Sequence, residues 1–426
     1  MNILVTTGIF PPDVGGPAKF VPLIADKLSE KNNLKVITLS EKTVEDSHND
    51  YEVFRIIRNQ NKVSRFIKTL VLIIKNGKDA DVIFVNGLWL EVYISNWFIR
   101  KKTIRKIVGD PVWEKFYTQY KTDDDFDTFQ EKKYNTKVQF LRFVRNTALK
   151  SSNTIVVPSY HLLDFVKKQG YNGRLIQVNN GTEKTKSIKK NKADNKFLIV
   201  SRLVRHKNID LVLKSLVILK NEYKIDFTLS IVGEGPEHKS LINLINKLGL
   251  HDSVKIVGAK YGEELKSFYQ FSNYFLQLSS YEGMPHAILE AMNYELTIIA
   301  SNFGGNFELL GDNDFGFTSS SLDIETVANT IYTAIKDNSN ITAKSKELVN
   351  IHYNIENTIN KFSEIILDNE FGFTSPSLDI ETVANTIYLA IKDSSDMTTK
   401  SKELVNKHYN IENTINMFSE IILDNE

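Results

Sequence analysis

The chain predicts an α/β fold built from two doubly wound parallel sheets, and three observations carry that expectation. Short β-branched runs alternate with helix-patterned stretches along the chain. A length of 426 residues exceeds one ordinary domain. A polar stretch without periodicity, Glu183–Asp194, separates two series of alternations and reads as a linker. In the first series Ile3–Thr6, Leu34–Leu39, Val82–Val85, Lys106–Val108, Thr154–Val157 and Leu175–Val178 read as strands. In the second, Phe197–Ser201, Phe227–Val232, Val254–Val257, Tyr274–Leu278, Leu296–Ala300 and Phe315–Thr318 do so. Two Rossmann-like domains facing a cleft follow, spanning 1–185 and 192–370, with 371–426 left over.

The leftover is a copy. Residues 315–370 recur almost unchanged at 371–426, and both copies end Ile-Ile-Leu-Asp-Asn-Glu. Two copies do not make a solenoid, which needs three or more repeats, so a tandem duplication of a largely helical tail is the simpler account. The first copy follows Leu309–Gly311 directly and is expected to complete the second domain; the second is expected to dock on the surface or on a partner chain.

Composition excludes several chemistries. With 42% hydrophobic and 25% charged residues the chain has ample core material, and without cysteine it offers no disulfide, thiolate metal site or thiol nucleophile. No apolar run approaches the roughly eighteen residues of a membrane span; Leu70–Ile74 comes nearest. Met1–Val5 reads as a strand rather than a signal peptide, so a cytoplasmic location is expected. The net charge of +1 conceals an asymmetry: residues 1–190 are near +12 and the remainder near −11. Basic and apolar residues mix in Lys62–Lys78 and Arg100–Lys106, which suits either solvated helix faces or peripheral contact with an anionic membrane. They are not interleaved as in a nucleic-acid reader, and no nucleic-acid partner is expected.

The most informative stretch is Tyr281–Met292. It carries Glu282 and Glu290 on either side of a loop-to-helix junction, with Pro285 expected at the first helical position. Neither Gly283 nor Met284 can cap the helix amides, so those N–H groups and the positive end of the helix dipole are left for an anion or polar ligand. Spacing alone fits equally well a helix-start acid plus an ordinary surface acid. Gly15-Gly16-Pro17 and Gly235-Pro236 repeat the grammar of strand, glycine turn, proline and helix. Arg202, Arg205 and Lys207 follow the strand Phe197–Ser201, where a guanidinium fork and an ammonium are placed to clamp a diphosphate. His161, His206 and His286 are lone histidines at helix starts, and a structural or solvated role suits them better than a catalytic one.

Ser201-Arg202-Leu203, Lys207-Asn208, Val232–Pro236, the Glu282–Glu290 motif and Ser301–Glu308 together resemble the family 4 glycosyltransferases, retaining nucleotide-sugar enzymes of GT-B fold. Phe10–Ala18 fits that family's opening loop, and Val108–Glu114 is similar to the Gly-Asp and Trp-Glu segment of its bacterial surface-polysaccharide branch. The resemblance runs from residue 1 to about 368. It implies a retaining transferase that moves a sugar from a nucleoside diphosphate donor to a saccharide or polyprenyl-linked acceptor, in O-antigen, capsule or related polysaccharide synthesis, with no cofactor and no metal. Arg202 and Lys207 would hold the diphosphate and stabilise the leaving group. Glu290 would take the ribose hydroxyls. Glu282 would bind the transferred sugar, helped by amides around Gly283, Met284 and His286. Gly15 and Gly16 would admit the donor to the first domain's backbone, and Asp110 would stand near the reacting centre on the acceptor side. Gly109 stands where many members carry histidine, Asn293-Tyr294-Glu295 where small residues are usual, and Phe307 where proline is common. A non-catalytic scaffold of the same fold is the competing class. A dinucleotide oxidoreductase is disfavoured, because no Gly-x-Gly-x-x-Gly follows the first strand.

Overall fold

The computed structural model describes residues 1–368 apart from residues 14, 43–45, 47–49, 121–123, 187–193 and 338. The second tail copy and most of the linker therefore lie outside the described residues.

The first sheet belongs to the run β1 (Asn2–Thr7), α1 (Gly16–Ser29), β2 (Asn33–Ser40), β3 (Glu52–Ile57), α2 (Lys62–Gly77), β4 (Val82–Val85), α3 (Trp89–Ile99) and β5 (Lys102–Lys106). It continues through α4 (Pro111–Tyr120), α5 (Phe126–Glu131), α6 (Thr136–Lys150), β6 (Thr154–Val157), α7 (Tyr160–Lys168) and β7 (Arg174–Gln177). Its strands are parallel, in the order β3-β2-β1-β4-β5-β6-β7. The second run is β8 (Lys196–Val200), α8 (Ile209–Asn221), β9 (Thr228–Val232), α9 (His238–Lys247), β10 (Val254–Gly258), α10 (Gly262–Phe271), β11 (Tyr274–Gln277) and α11 (His286–Asn293). After it come β12 (Thr297–Ser301), α12 (Gly305–Leu310), β13 (Phe317–Ser319), α13 (Ile324–Lys336), α14 (Ile341–His352) and α15 (Ile355–Leu367). This sheet too is parallel, in the order β10-β9-β8-β11-β12-β13.

Buried parallel strands are continuous apolar runs, which is why most were visible in the sequence. Val82–Val85 and Thr154–Val157 are buried at every residue. Two strands differ from expectation. β3 is an edge strand whose Glu52 and Arg55 break the apolar run, so no local pattern marks it. β5 ends at Lys106, where the expected strand began; Arg105 and Lys106, read as part of a basic surface cluster, are instead only 6% and 8% exposed. On α2, Phe66, Leu70 and Ile73 face the core, so most of the apolar run there packs inward. Among the described residues no helix is long and apolar enough to cross a membrane.

The first tail copy does two things. Its strand β13 extends the second sheet beside β12, and α13 packs on α8. Its last helix, α15, returns to the first domain and packs on α1. There Phe362 meets Phe20 and Phe84 edge to face, at 5.0 and 5.8 Å between ring centres. A fully buried phenylalanine contributes about 1.5–3 kcal/mol by burial alone. The return path runs beside the outward one: Thr182 donates to the Tyr353 carbonyl (2.9 Å), and the Ile355 amide donates back to Thr182 (3.2 Å).

Candidate functional site

Both strand orders reverse direction, between β1 and β4 in one sheet and between β8 and β11 in the other. Ligands of open parallel sheets bind beyond the carboxyl ends of strands at such switch points. The segments that follow β1, β5, β8 and β11 carry Gly15 and, at the start of α1, Gly16, then Asp110, Arg202 and Lys207, and Glu282, and contacts between these segments join the two domains.

Lys207 forms an ion pair with Glu282, and both side chains keep only about an eighth of their surface exposed. Burial works to raise the Glu282 pKa, but the Lys207 ammonium holds it below the ordinary carboxylate value. Beside them His206 is buried, and loss of solvent with the adjacent Lys207 charge pushes its pKa down to about 4. Asn208 takes a left-handed backbone (φ 50°) and its side-chain amide donates to the Leu278 carbonyl (2.8 Å) and Ser280 Oγ (2.9 Å). That pair of bonds ties the loop carrying Lys207 to the one carrying Glu282. The exposed Arg202 lies 3.5 Å from Glu114 of α4, across the domain boundary.

On the other side of the cleft, Lys19 of α1 pairs with Glu290 of α11 at 2.5 Å. Gly16 lies close to the His286 ring; a Cβ there would sit 3.5 Å from it. Burial, with Lys106 and Lys19 nearby, lowers the His286 pKa to about 3, and its ring bonds to the Gly181 backbone. Both cleft histidines are therefore neutral at ordinary pH. Helices α1, α9 and α11 all begin without a side-chain cap, as expected.

Several expectations need correction. Pro285 is the N-cap residue in extended geometry, so α11 starts at His286, one residue late. Pro236 precedes α9 by two residues and sits in a turn, so only Pro17 lies inside a first helical turn. Gly233 and Gly235 are explained by packing: a Cβ on either would collide with the backbone at Ser201 or Leu203. Gly283 is wedged likewise between the Val108 carbonyl of the first domain and the turn at Gly305, and the buried Met284 accepts from Asn180 (2.9 Å). Asp110 is fully buried, bound to Arg145 and Gln130, with Oδ1 accepting from the Val112 amide at the start of α4. It presents no oxygen to the cleft and anchors α4 instead.

Residues 180–358 match the family model of the glycosyl transferases group 1. Over those residues the second domain is similar to the group 1 glycosyl transferases. Among relatives, 205 residues are 28% identical to the capsular polysaccharide biosynthesis glycosyltransferase CapH of Staphylococcus aureus, over 48% of this chain and 52% of CapH. A further 37% identity over 106 residues links 25% of the chain to 29% of the amylovoran biosynthesis glycosyltransferase AmsD of Erwinia amylovora. The chain thus spans about half or less of the length of these relatives. The crystal structure of Anabaena HepE in complex with UDP and glucose superposes with a TM-score of 0.68 at 17% identity, over 86% of this chain and 99% of HepE. That likeness establishes the GT-B fold.

The second domain meets its neighbour through contacts that no spacing in the sequence disclosed. Tyr281 inserts into an aromatic cluster of the first domain, stacked on Phe126 (4.0 Å, 5°) and edge-on to Trp113 (5.3 Å). Glu308 accepts from the Tyr160 and His161 amides (2.8 and 2.6 Å), placing an acid at the N-terminus of α7. Glu114 and Lys19 complete the ion pairs of Arg202 and Glu290. Glu114 belongs to the Val108–Glu114 motif, whereas no pattern around Lys19 marks its partner. Among the described residues no group of three or more His, Asp or Glu is arranged to hold a metal ion.

Proposed function

We propose that this chain is a retaining glycosyltransferase that moves a sugar from a nucleoside diphosphate sugar to a saccharide or lipid-linked saccharide acceptor in surface-polysaccharide synthesis. The observation that carries the reading is the pairing of Lys207 with Glu282 and of Arg202 with Glu114 at the switch points of a GT-B fold, with Glu290 paired to Lys19 of the first domain on the uncapped helix α11. The likeness to HepE, which binds UDP and glucose, and to CapH and AmsD of polysaccharide synthesis supports it.

Each charged donor residue already has a partner, so the donor enters by exchange. A diphosphate draws Arg202 from Glu114 and shares Lys207 with Glu282; ribose hydroxyls replace Lys19 at Glu290. In the reaction the bond from the anomeric carbon to the diphosphate breaks, and the acceptor oxygen bonds to the same face of that carbon. The acceptor proton passes to the departing phosphate oxygen, whose growing charge Arg202 and Lys207 stabilise. Glu282, ionised and held by Lys207, orients the sugar rather than attacking it. Asp110 acts indirectly, by fixing α4 and hence Glu114. No cofactor or metal enters the proposal.

The location proposed is the cytoplasmic face of an anionic membrane, with the basic first domain making peripheral contact. The exposed Val71 and Phe98 lie among its lysines and support this. Incubation with UDP- and GDP-sugars and a saccharide acceptor, followed by NMR of the product, tests the function. A product that keeps the donor's anomeric configuration is expected; an inverted product refutes retention, and no turnover with any donor refutes transfer.

A further inference from the structure

Lys106 stands at the carboxyl end of β5 with 8% of its surface exposed. Its ammonium lies 3.6 Å from the centre of the Phe20 ring on α1 and 5.0 Å from that of Phe362 on α15. Among the described residues no carboxylate or carbonyl accepts from it. Desolvation brings its pKa down to about 7. No neighbouring carboxylate among the described residues offsets that cost. The uncapped start of α1 is one turn from Phe20, and the uncapped start of α11 carries His286, which feels the Lys106 charge and nearly touches Gly16. Lys19 also acts on His286, and its partner Glu290 is already engaged. A buried ammonium usually has a counter-ion, and here two helix N-termini from opposite domains add to its field.

We propose that Lys106 is a further cation of the donor site, kept without a protein counter-ion so that a phosphate of the nucleoside diphosphate supplies one. The inference rests on the donor reading above and adds a residue to it. Rings of Phe20 and Phe362 fix the ammonium, as cation–π contacts do. Because Phe362 comes from the returning helix α15, the tail's first copy helps to build the site.

The test compares wild type with Lys106→Met, which keeps the stem and removes the charge. Calorimetric titration uses UDP, GDP, UMP and GMP, and thermal unfolding is recorded without ligand. The unliganded variant is expected to melt no lower than wild type, since an unpaired buried charge is lost. Its affinity for the nucleoside diphosphate falls at least tenfold, and that for the monophosphate changes less than threefold. Equal diphosphate affinity in both proteins overturns the inference and leaves the donor reading intact. Equal losses for diphosphate and monophosphate, or a lower melting temperature with weaker binding of both, assign Lys106 to packing and also overturn it. If wild type binds neither diphosphate, the donor reading itself falls.

Wild type offers a second readout should the variant fail to fold. At pH 8, where the free diphosphate is ionised, titrations in buffers of different ionisation enthalpy should show proton uptake on binding, as the bound phosphate recharges Lys106. The groups around it are His286 on α11 and Lys19 on α1 with its partner Glu290. A Lys19→Met control separates that pair, and uptake that vanishes with Lys19→Met overturns the assignment to Lys106.

Discussion

Replacing Lys207 by methionine should make stability fall as pH rises, a dependence the wild-type pair does not give. In wild type the folded-state pKa of Glu282 lies below its unfolded value. Its contribution is therefore complete above the unfolded pKa and is lost only as pH falls through the folded one, so it is flat from pH 5 to 8. Without Lys207 the burial of Glu282 dominates and lifts its folded pKa above the unfolded value. The contribution is then present at low pH and lost as pH rises through the new folded pKa. Breaking a buried pair costs about 3–5 kcal/mol. Since both side chains keep about an eighth of their surface in solvent, the lower end, about 3 kcal/mol, applies at pH 8. At roughly 2–4 °C per kcal/mol for units of this size, the melting temperature drops by about 6–12 °C at pH 8 and by much less at pH 5. Thermal unfolding followed by circular dichroism at pH 5, 6, 7 and 8 measures this. Adding Glu282→Gln should recover much of the loss at pH 8. A deficit that stays constant with pH, or no deficit at all, refutes the argument.

Three further outcomes are expected. Gly283→Ala puts a methyl group against the Val108 carbonyl, so the domains should part; small-angle scattering should show a larger radius of gyration, and an unchanged one counts against the wedge. Asp110→Asn leaves Arg145, almost fully buried, without its charge partner, a loss of about 3 kcal/mol, and activity per folded molecule should change much less than with Glu282→Gln. Ending the chain before Phe371 should leave donor binding intact, because the first tail copy supplies both β13 and α15; loss of folding on that truncation contradicts this assignment.

What the sequence disclosed, and what it withheld, follow from range. Buried strands such as Val82–Val85 announce themselves through local composition, and so did the alternation that builds two sheets. β5 did not, because Lys102, Arg105 and Lys106 in a central strand resemble a solvated cluster until the neighbouring strands and helices cover them. The Glu282–Glu290 junction and the Arg202 and Lys207 loop were legible as motifs. Their partners were not: Lys19 lies 271 residues from Glu290, and Lys207 lies 75 from Glu282. Asp110 was drawn toward the chemistry by its motif, yet Arg145 and Gln130, distant in sequence, claim its carboxylate. The same holds for Phe362, whose place in the first domain's core depends on a chain return that no local pattern encodes.

The central claim is that the cleft between the sheets holds a nucleoside diphosphate sugar by Glu290 at one end and by Arg202, Lys207 and Glu282 at the other. Calorimetric titration of wild type and Glu290→Ala with a panel of UDP- and GDP-sugars tests it most directly. One nucleotide class should bind wild type, and Glu290→Ala should weaken that binding at least tenfold, about 1.4 kcal/mol or more. Binding of no donor by wild type, or equal binding by the variant, would contradict the account.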